Sequence, residues 1–220
     1  MIQEKSETII VVGVGGGGKN AVDYICRQGI ENANFMVCNT DLEKLENSAV
    51  PIKIQLGNLN SGAAGNPETG RKAALNSADE IRAALAADAK IVVIIAGMGG
   101  GTGTGAAPVI VSIAKETGKL TVVIVFTPFQ FEGQKRINQA KEGLKELNNR
   151  TDLLLILDNE KLIETCGDML IREVFSKVNL QLTKTVEYIA YIARQGTEIF
   201  NLKKLCASNF LRYYDEETDR

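Results

Sequence analysis

Nine consecutive residues, 97–105, have a composition that suits phosphate binding. Six of them are glycine and two are threonine. Glycine allows positive φ angles and lets a ligand approach the backbone closely, and the free amide groups at the start of a helix attract an anion. An apolar run at 91–96 precedes the segment, and small residues from Ala106 onward follow it. The segment is therefore predicted to be a phosphate-binding turn between a strand and a helix, in preference to a flexible linker.

A second glycine-rich segment, 13–20, follows the first apolar run of the chain. The spacing of its glycines satisfies the dinucleotide fingerprint G-x-G-x-x-G, and Asp41 stands where an acid could hold the ribose of such a cofactor. The same segment matches a P-loop up to its last position, where Asn20 replaces the usual Ser or Thr. A dinucleotide bound at 13–20 would leave the glycine loop at 97–105 unexplained. A phosphate chain held from two loops fits a mononucleotide triphosphate better.

The overall composition excludes several functional classes. The 220 residues are 45% hydrophobic and carry a net charge of -2, which argues against a nucleic-acid-binding surface. There is no histidine, and the four cysteines show no Cys-x-x-Cys spacing, so metal sites and Ser-His or Cys-His catalysis are excluded. No apolar run approaches the roughly 20 residues that span a bilayer, and the amino terminus lacks the apolar core of a secretory signal. We expect a cytoplasmic protein with reduced thiols, without nucleic-acid partners and without membrane insertion.

Apolar segments alternate with helical patterns along the chain. Strands are predicted at 8–14, 35–39, 52–56, 90–96, 120–126 and 153–157. Helices are predicted at 20–28, 67–86, 106–117, 133–148 and about 170–194. Four of the strands are almost continuously hydrophobic, which indicates burial on both faces. The pattern predicts an α/β, doubly wound fold in which a mostly parallel sheet lies between two layers of helices.

The two glycine loops together resemble those of the tubulin and FtsZ superfamily of GTPases. The signature of that family is matched at every position by Gly99, Gly100, Gly101, Thr102, Gly103, Thr104 and Gly105. Further resemblance to FtsZ lies at 13–21, 39–41, 62–67 and 129–136, and it is continuous over roughly residues 8–197. The resemblance implies a three-layer GTP-binding domain over residues 1–200, including a central helix. It also implies GTP or GDP as the ligand, with Mg²⁺ coordinated mainly through the phosphates.

The resemblance assigns roles to individual residues of the phosphate site. The residues implied to line the α- and β-phosphates are Gly16, Gly17, Lys19 and Asn20. The residues implied to cradle the β/γ end are Gly103, Thr104 and Gly105. All seven signature residues are therefore candidate nucleotide-binding residues.

Four residues outside the glycine loops complete the implied nucleotide site. Glu132 would accept the ribose hydroxyls and Arg136 would lie beside the nucleotide, although without the resemblance this pair would be interpreted as a surface ion pair. Asn159 resembles the asparagine that reaches the guanine. Asn179 stands where FtsZ has an aspartate, and tubulins also use asparagine there. Because a charged acceptor makes the stronger hydrogen bond, guanine selection is expected to be weaker than in FtsZ.

The segment 197–206 departs from the family pattern. In the family, this loop follows the central helix, has the pattern Asn-x-Asp-x-x-Asp, and activates the water that attacks the nucleotide of a neighbouring subunit. One register places Ile199, Asn201 and Lys204 at the three positions, and another places Asn201, Lys203 and Cys206 there. Neither supplies a carboxylate, so no catalytic residue is assigned. Residues 201–220 are expected to hold a degenerate loop and a tail, and the second domain of the family is expected to be absent.

The principal hypothesis is a GTP-binding, FtsZ-like cytoskeletal protein of bacterial cell division with impaired self-activation of hydrolysis. Its expected partners are further copies of itself or full-length FtsZ in filaments, and other division proteins. An alternative is a catalytically inert module that interacts with FtsZ. A third hypothesis is an NAD(P)-dependent oxidoreductase of the Rossmann type, which rests on the glycine fingerprint and Asp41.

Overall fold

The described residues of the chain form one seven-stranded sheet with helices on both faces. The structure is a computed structural model and describes residues 8–59, 61–167, 169–195 and 211–214. The strands are β1 (Thr8–Val14), β2 (Ala33–Asn39), β3 (Ile52–Gln55), β4 (Ala89–Gly97), β5 (Leu120–Phe126), β6 (Leu153–Leu157) and β7 (Leu211–Tyr213). Their order is β3-β2-β1-β4-β5-β6-β7, and all neighbours are parallel except β6 and β7. The predicted doubly wound α/β fold is confirmed.

The central strands are buried on both faces because helices cover each side of the sheet. Alternate residues of β1 and β4 belong to different cores: Val12 and Ile94 pack in one, Val11 and Ile95 in the other. All four side chains are fully buried. Two-sided burial explains why these strands are continuously apolar and show no alternation.

The helices differ from the sequence prediction mainly in where they begin. They are α1 (Gly15–Gln28), α2 (Leu42–Glu46), α3 (Pro67–Asn76), α4 (Ala78–Leu85), α5 (Gly101–Glu116), α6 (Gln134–Asn148), α7 (Asn159–Cys166) and α8 (Ile171–Gln195). The single helix predicted at 67–86 is interrupted at Ser77. The Ser77 hydroxyl accepts the Gly57 N–H at 2.9 Å and donates to the Gln55 carbonyl at 3.2 Å, which ties the break to β3. The short helices α2 and α7 were not predicted.

The parallel topology brings the two glycine loops together. Strands β1 and β4 are neighbours, and each ends in a glycine segment that opens directly into a helix, α1 or α5. The carboxyl ends of β2, β5 and β6 lie at the same edge of the sheet. Loops that carry binding residues are therefore gathered at one edge, as is usual for open α/β sheets.

The antiparallel edge strand β7 was not predicted from the sequence. It pairs with β6 so that Leu211 lies opposite Leu157. Within the described part of the chain, no helix is long and apolar enough to cross a membrane. The cytoplasmic location stays a prediction.

Candidate functional site

A cleft of about 670 Å³, called here the main cleft, lies at the edge where the parallel strands end. It is lined by residues from the starts of α1 and α5, from the segment that follows β5, from the start of α7 and from one face of α8. A smaller cleft of about 230 Å³, the side cleft, adjoins it and is lined by the end of β2 and by residues 61–65. Gly16, Gly101, Thr102, Lys44 and Gly65 line both clefts.

The first glycine loop opens α1 without any side-chain cap. Helix α1 begins at Gly15, whose φ of +70° suits glycine, and no acidic residue occupies the first turn. Gly16, Gly17 and Asn20 line the main cleft. Gly18 does not line it: a Cβ at Gly18 would overlap the Ile95 carbonyl of β4. Its role is to let α1 pack closely on the sheet.

The second glycine loop also opens a helix whose amino terminus carries no side-chain cap. Gly100 is the N-cap of α5 and no acidic residue lies in the first turn. Gly100, Gly101, Thr102 and Gly103 line the main cleft. Because the helix begins at Gly101, the last three of these residues contribute first-turn amide groups to the cleft.

Three other signature residues serve the local structure. The buried hydroxyl of Thr104 accepts the Gly99 N–H at 2.8 Å and so closes the turn, where the φ of Gly99 is +88°. A Cβ at Gly105 would overlap the Pro67 carbonyl of α3. Neither Thr104 nor Gly105 lines the main cleft in the structure. The phosphate contacts assigned to them remain predictions.

The side cleft is lined by a buried side-chain amide whose nitrogen has no hydrogen-bond partner among the described residues. The Asn39 side chain is 2% exposed; its Oδ1 accepts the Asp41 N–H at 3.3 Å, and its Nδ2 has no hydrogen-bond partner. The Thr40 and Thr102 hydroxyls are hydrogen-bonded at 2.7 Å and join β2 to α5 beside it. A buried donor without a partner is costly, and an oxygen-rich ligand in the side cleft would satisfy it.

Lys19 does not line the main cleft. Its ammonium lies 2.7 Å from the Asp23 carboxylate, and both side chains are buried. The Asp23 carboxylate also accepts the Ser48 hydroxyl at 2.5 Å and the Ala49 N–H at 2.9 Å. Burial alone raises the pKa of Asp23, but the hydrogen bonds from Lys19, Ser48 and Ala49 outweigh it and hold the pKa below its usual value. Asp23 therefore anchors α1 to the segment before β3, and Lys19 supplies its counter-charge.

The far end of the main cleft is lined by asparagine and aromatic side chains. Asn159 is the first residue of α7 and is 7% exposed; its N–H donates to the Thr127 hydroxyl at 3.3 Å, while its Oδ1 has no partner. Phe175 and Asn179 reach the same cleft from consecutive turns of α8. An unpartnered carbonyl oxygen between these groups can accept hydrogen bonds from the edge of a base.

Glu132 and Arg136 both line the main cleft and contact each other. The Arg136 guanidinium donates to Glu132 Oε2 at 2.6 Å, and Glu132 Oε1 accepts the Phe129 N–H at 3.0 Å. The ion pair expected without the resemblance is thus present, at the edge of the cleft. Each carboxylate oxygen retains acceptor capacity for a ligand hydroxyl.

Several residues that line the cleft were not assigned from the sequence, and Phe175 and Lys44 are among them. Phe175 precedes Asn179 by four positions on a predicted helix, and that spacing puts both on one face, so it could have been found. Lys44 lies on the short helix α2, which had no sequence signal. The segment 197–206, in which the family pattern predicts catalytic acids, lies outside the described residues.

Comparison with known protein families identifies the chain's relatives. The family model for the GTPase domain of the tubulin/FtsZ family matches residues 8–167. The cell division protein FtsZ of Mycoplasmopsis pulmonis is 46% identical over 186 residues, which are 84% of this chain and 47% of that protein. FtsZ of Helicobacter pylori strain J99 is 47% identical over 165 residues, 73% of this chain and 43% of that protein. The chain spans about half the length of these relatives.

Solved structures give the same result. An empty FtsZ dimer from M. jannaschii superposes with a TM-score of 0.80 at 39% identity, covering 88% of this chain and 57% of that one. CetZ2 from Haloferax volcanii, described as a GTPγS-bound protofilament, has a TM-score of 0.75 at 22% identity and covers 85% and 59%. At that identity, the second similarity concerns the fold alone.

Proposed function

The chain belongs to the tubulin/FtsZ family, and we propose that it binds GTP and GDP in the main cleft. One observation carries the proposal: two uncapped helix amino termini, those of α1 and α5, open onto the same cleft from neighbouring strands. Each presents free amide groups and the positive end of a helix dipole, and neither has an acidic residue in its first turn. This pair suits a polyphosphate better than a single phosphate.

The opposite end of the cleft suits a guanine base. The unpartnered Oδ1 of Asn159 would accept a hydrogen bond from a guanine N–H group, and the Asn179 amide would supply a second acceptor. Phe175, which is 42% exposed, would cover the face of the ring. Adenine presents no donor at the equivalent N1 position, so the arrangement favours guanine.

We propose that Mg²⁺ accompanies the nucleotide and is coordinated mainly by the phosphates. Among the described residues, no group of three His, Cys, Asp or Glu side chains converges on a point. Asp41 is the one carboxylate among the described residues that line the side cleft, where the other side-chain oxygens are those of Asn39, Thr40, Ser61 and Thr102. This donor set fits an ion that keeps its water and phosphate ligands, as Mg²⁺ usually does.

We propose further that the chain binds GTP but hydrolyses it weakly by itself. The proposal rests on the lack of carboxylates at the expected positions of 197–206, where only Glu198 lies nearby. The main cleft could still meet the catalytic loop of a complete FtsZ subunit in a mixed filament. Hydrolysis would then occur at that contact, with Glu132 and Arg136 at the edge of the cleft.

The test measures GTP turnover and sedimentation with the chain alone and with full-length FtsZ added. The expected result is slow turnover alone, together with incorporation into, or capping of, the FtsZ filaments. Brisk turnover that rises with the concentration of the chain alone would refute impaired self-activation. Nucleotide identified after denaturation of the purified protein, with its exchange rate, separates a working GTP site from an inert module with trapped GDP. Competition between GTP and NAD tests the oxidoreductase hypothesis.

A further inference from the structure

Lys44 stands at the junction of the two clefts. It lines the main cleft and the side cleft, and its Cδ lies 4.0 Å from the position that a Cβ on Gly16 would occupy. The side chain therefore extends beside Gly16 of the first glycine loop, at the cleft that Asn159 and Phe175 do not line. This is the phosphate end of the proposed nucleotide site.

Few positive charges are available at that end. Among the described residues, Lys44 and Arg136 are the lysine and arginine side chains that line the main cleft, and Lys44 alone of them also lines the side cleft. Arg136 is paired with Glu132 and does not line the side cleft. Lys19, the lysine of the glycine loop itself, is buried against Asp23. A terminal phosphate that entered the side cleft would meet Lys44 first.

The present partner of Lys44 does not prevent such a contact. Its ammonium lies 2.8 Å from Asp41 Oδ2, and the Lys44 side chain is 60% exposed. The Asp41 side chain is 18% exposed, but an ion pair in which the ammonium stays well solvated contributes little net stability, because the long side chain also loses rotamer freedom in the pair. A phosphate oxygen with a higher negative charge therefore competes effectively with Asp41 for the ammonium.

We propose that Lys44 is a specificity-determining residue that contacts the terminal phosphate of GTP and favours GTP over GDP. The inference rests on the proposed function. A charge-assisted hydrogen bond from the ammonium to the γ-phosphate exists only for the triphosphate, because GDP lacks that phosphate. Lys44 acts as a point charge on a flexible stem, so it can follow the phosphate.

The experiment compares the affinities of the full chain and its variants for GDP and for the slowly hydrolysed analogue GMPPNP. In Lys44→Gln, we expect GMPPNP binding to weaken about 10-fold while GDP binding changes less than about 2-fold. Lys44→Arg should retain most of the preference for the triphosphate. The matched control is Lys53→Gln. It removes an exposed lysine whose ammonium donates to the carbonyl of Glu46, on the same helix α2 that carries Lys44. Its affinities should match those of the unaltered chain.

Equal weakening of both ligands in Lys44→Gln, or no change in either, would overturn the role of Lys44 while leaving GTP binding intact. Failure of the unaltered chain to bind either nucleotide would overturn the proposed function itself, and the inference with it. Thermal unfolding of each variant, followed by circular dichroism, shows whether the fold is kept. A loss of triphosphate preference in Lys44→Gln that Lys44→Arg restores, at unchanged thermal stability, cannot come from a purely structural role.

Discussion

The Lys19 ammonium and the Asp23 carboxylate form a buried ion pair at 2.7 Å, one turn apart on α1. The pair explains why the lysine of the first glycine loop does not line the main cleft. Asp23 in turn accepts hydrogen bonds from Ser48 and Ala49, in the segment before β3. The pair thus connects the start of α1, where the proposed phosphate site lies, to the segment before β3.

Replacing Asp23 by asparagine should destabilise the protein strongly. The change leaves the Lys19 ammonium buried without a counter-charge, which costs about 3 kcal/mol in the free energy of unfolding. Urea denaturation measures the loss. The control is Asp79→Asn, which breaks an ion pair with Arg82 at a fully exposed carboxylate and should cost little. Equal losses in the two variants would contradict the importance of burial.

The same carboxylate should make stability depend on pH in the acid range. The pKa of Asp23 is lower in the folded state than its ordinary value of 3.8, so the unfolded chain binds the proton more readily. Its stabilising contribution is therefore present above pH 4 and is lost as the pH falls through the folded-state pKa. Unfolding free energies measured from pH 6 to pH 3 should fall less steeply in Asp23→Asn. Identical slopes would show that other carboxyl groups dominate.

Thr104→Val should destabilise the glycine turn. The substitution keeps the volume but removes the hydroxyl that accepts the Gly99 N–H, and a buried donor without a partner costs about 1 to 2 kcal/mol. Thr104→Ser keeps the acceptor and serves as the control for the lost methyl group. Chemical denaturation separates the two. If serine is more destabilising than valine, packing of the methyl group against Gly143 is more important than the hydrogen bond.

Glycines of the signature should differ sharply in their tolerance of a methyl group. Gly105→Ala introduces a Cβ that overlaps the Pro67 carbonyl, and overpacking of this kind costs about 3 kcal/mol. Gly100→Ala has no atom within 4 Å of its new Cβ and should change stability by less than about 1 kcal/mol. Thermal unfolding compares them. A similar loss at both positions would mean that α3 and α5 do not pack as closely as described.

Asn179→Asp should strengthen selection of guanine. A carboxylate accepts the guanine N1 and N2 hydrogen atoms more strongly than an amide carbonyl does, so the preference for GTP over ITP, which lacks the 2-amino group, should rise about 5-fold. The control Asn138→Asp adds the same charge on an exposed face of α6, away from the cleft. A preference that stays unchanged in Asn179→Asp would place the base elsewhere in the cleft.

The sheet was predictable because its strands are buried on both faces. A strand such as β4 must be apolar at consecutive positions, and this pattern is visible without any knowledge of its neighbours. Short elements were not predictable in the same way. Helix α2 has a single buried residue, Leu45, and β7 has three residues whose place depends on pairing with β6. Their structures are determined by contacts with distant parts of the chain.

The order of residues alone determined the alternation of strands and helices, the two glycine loops and the resemblance to tubulin and FtsZ. These properties depend on neighbouring residues, on the backbone freedom of glycine and on the repeat of apolar positions. Only the tertiary structure decided which members of each loop face the cleft. Gly18 and Gly105 allow close packing against neighbouring backbone carbonyl groups, and Thr104 closes a turn. Lys19 is paired with Asp23. Lys44 lies at the junction of the two clefts because β2 lies beside β1, and this side-by-side placement follows from packing across the whole sheet.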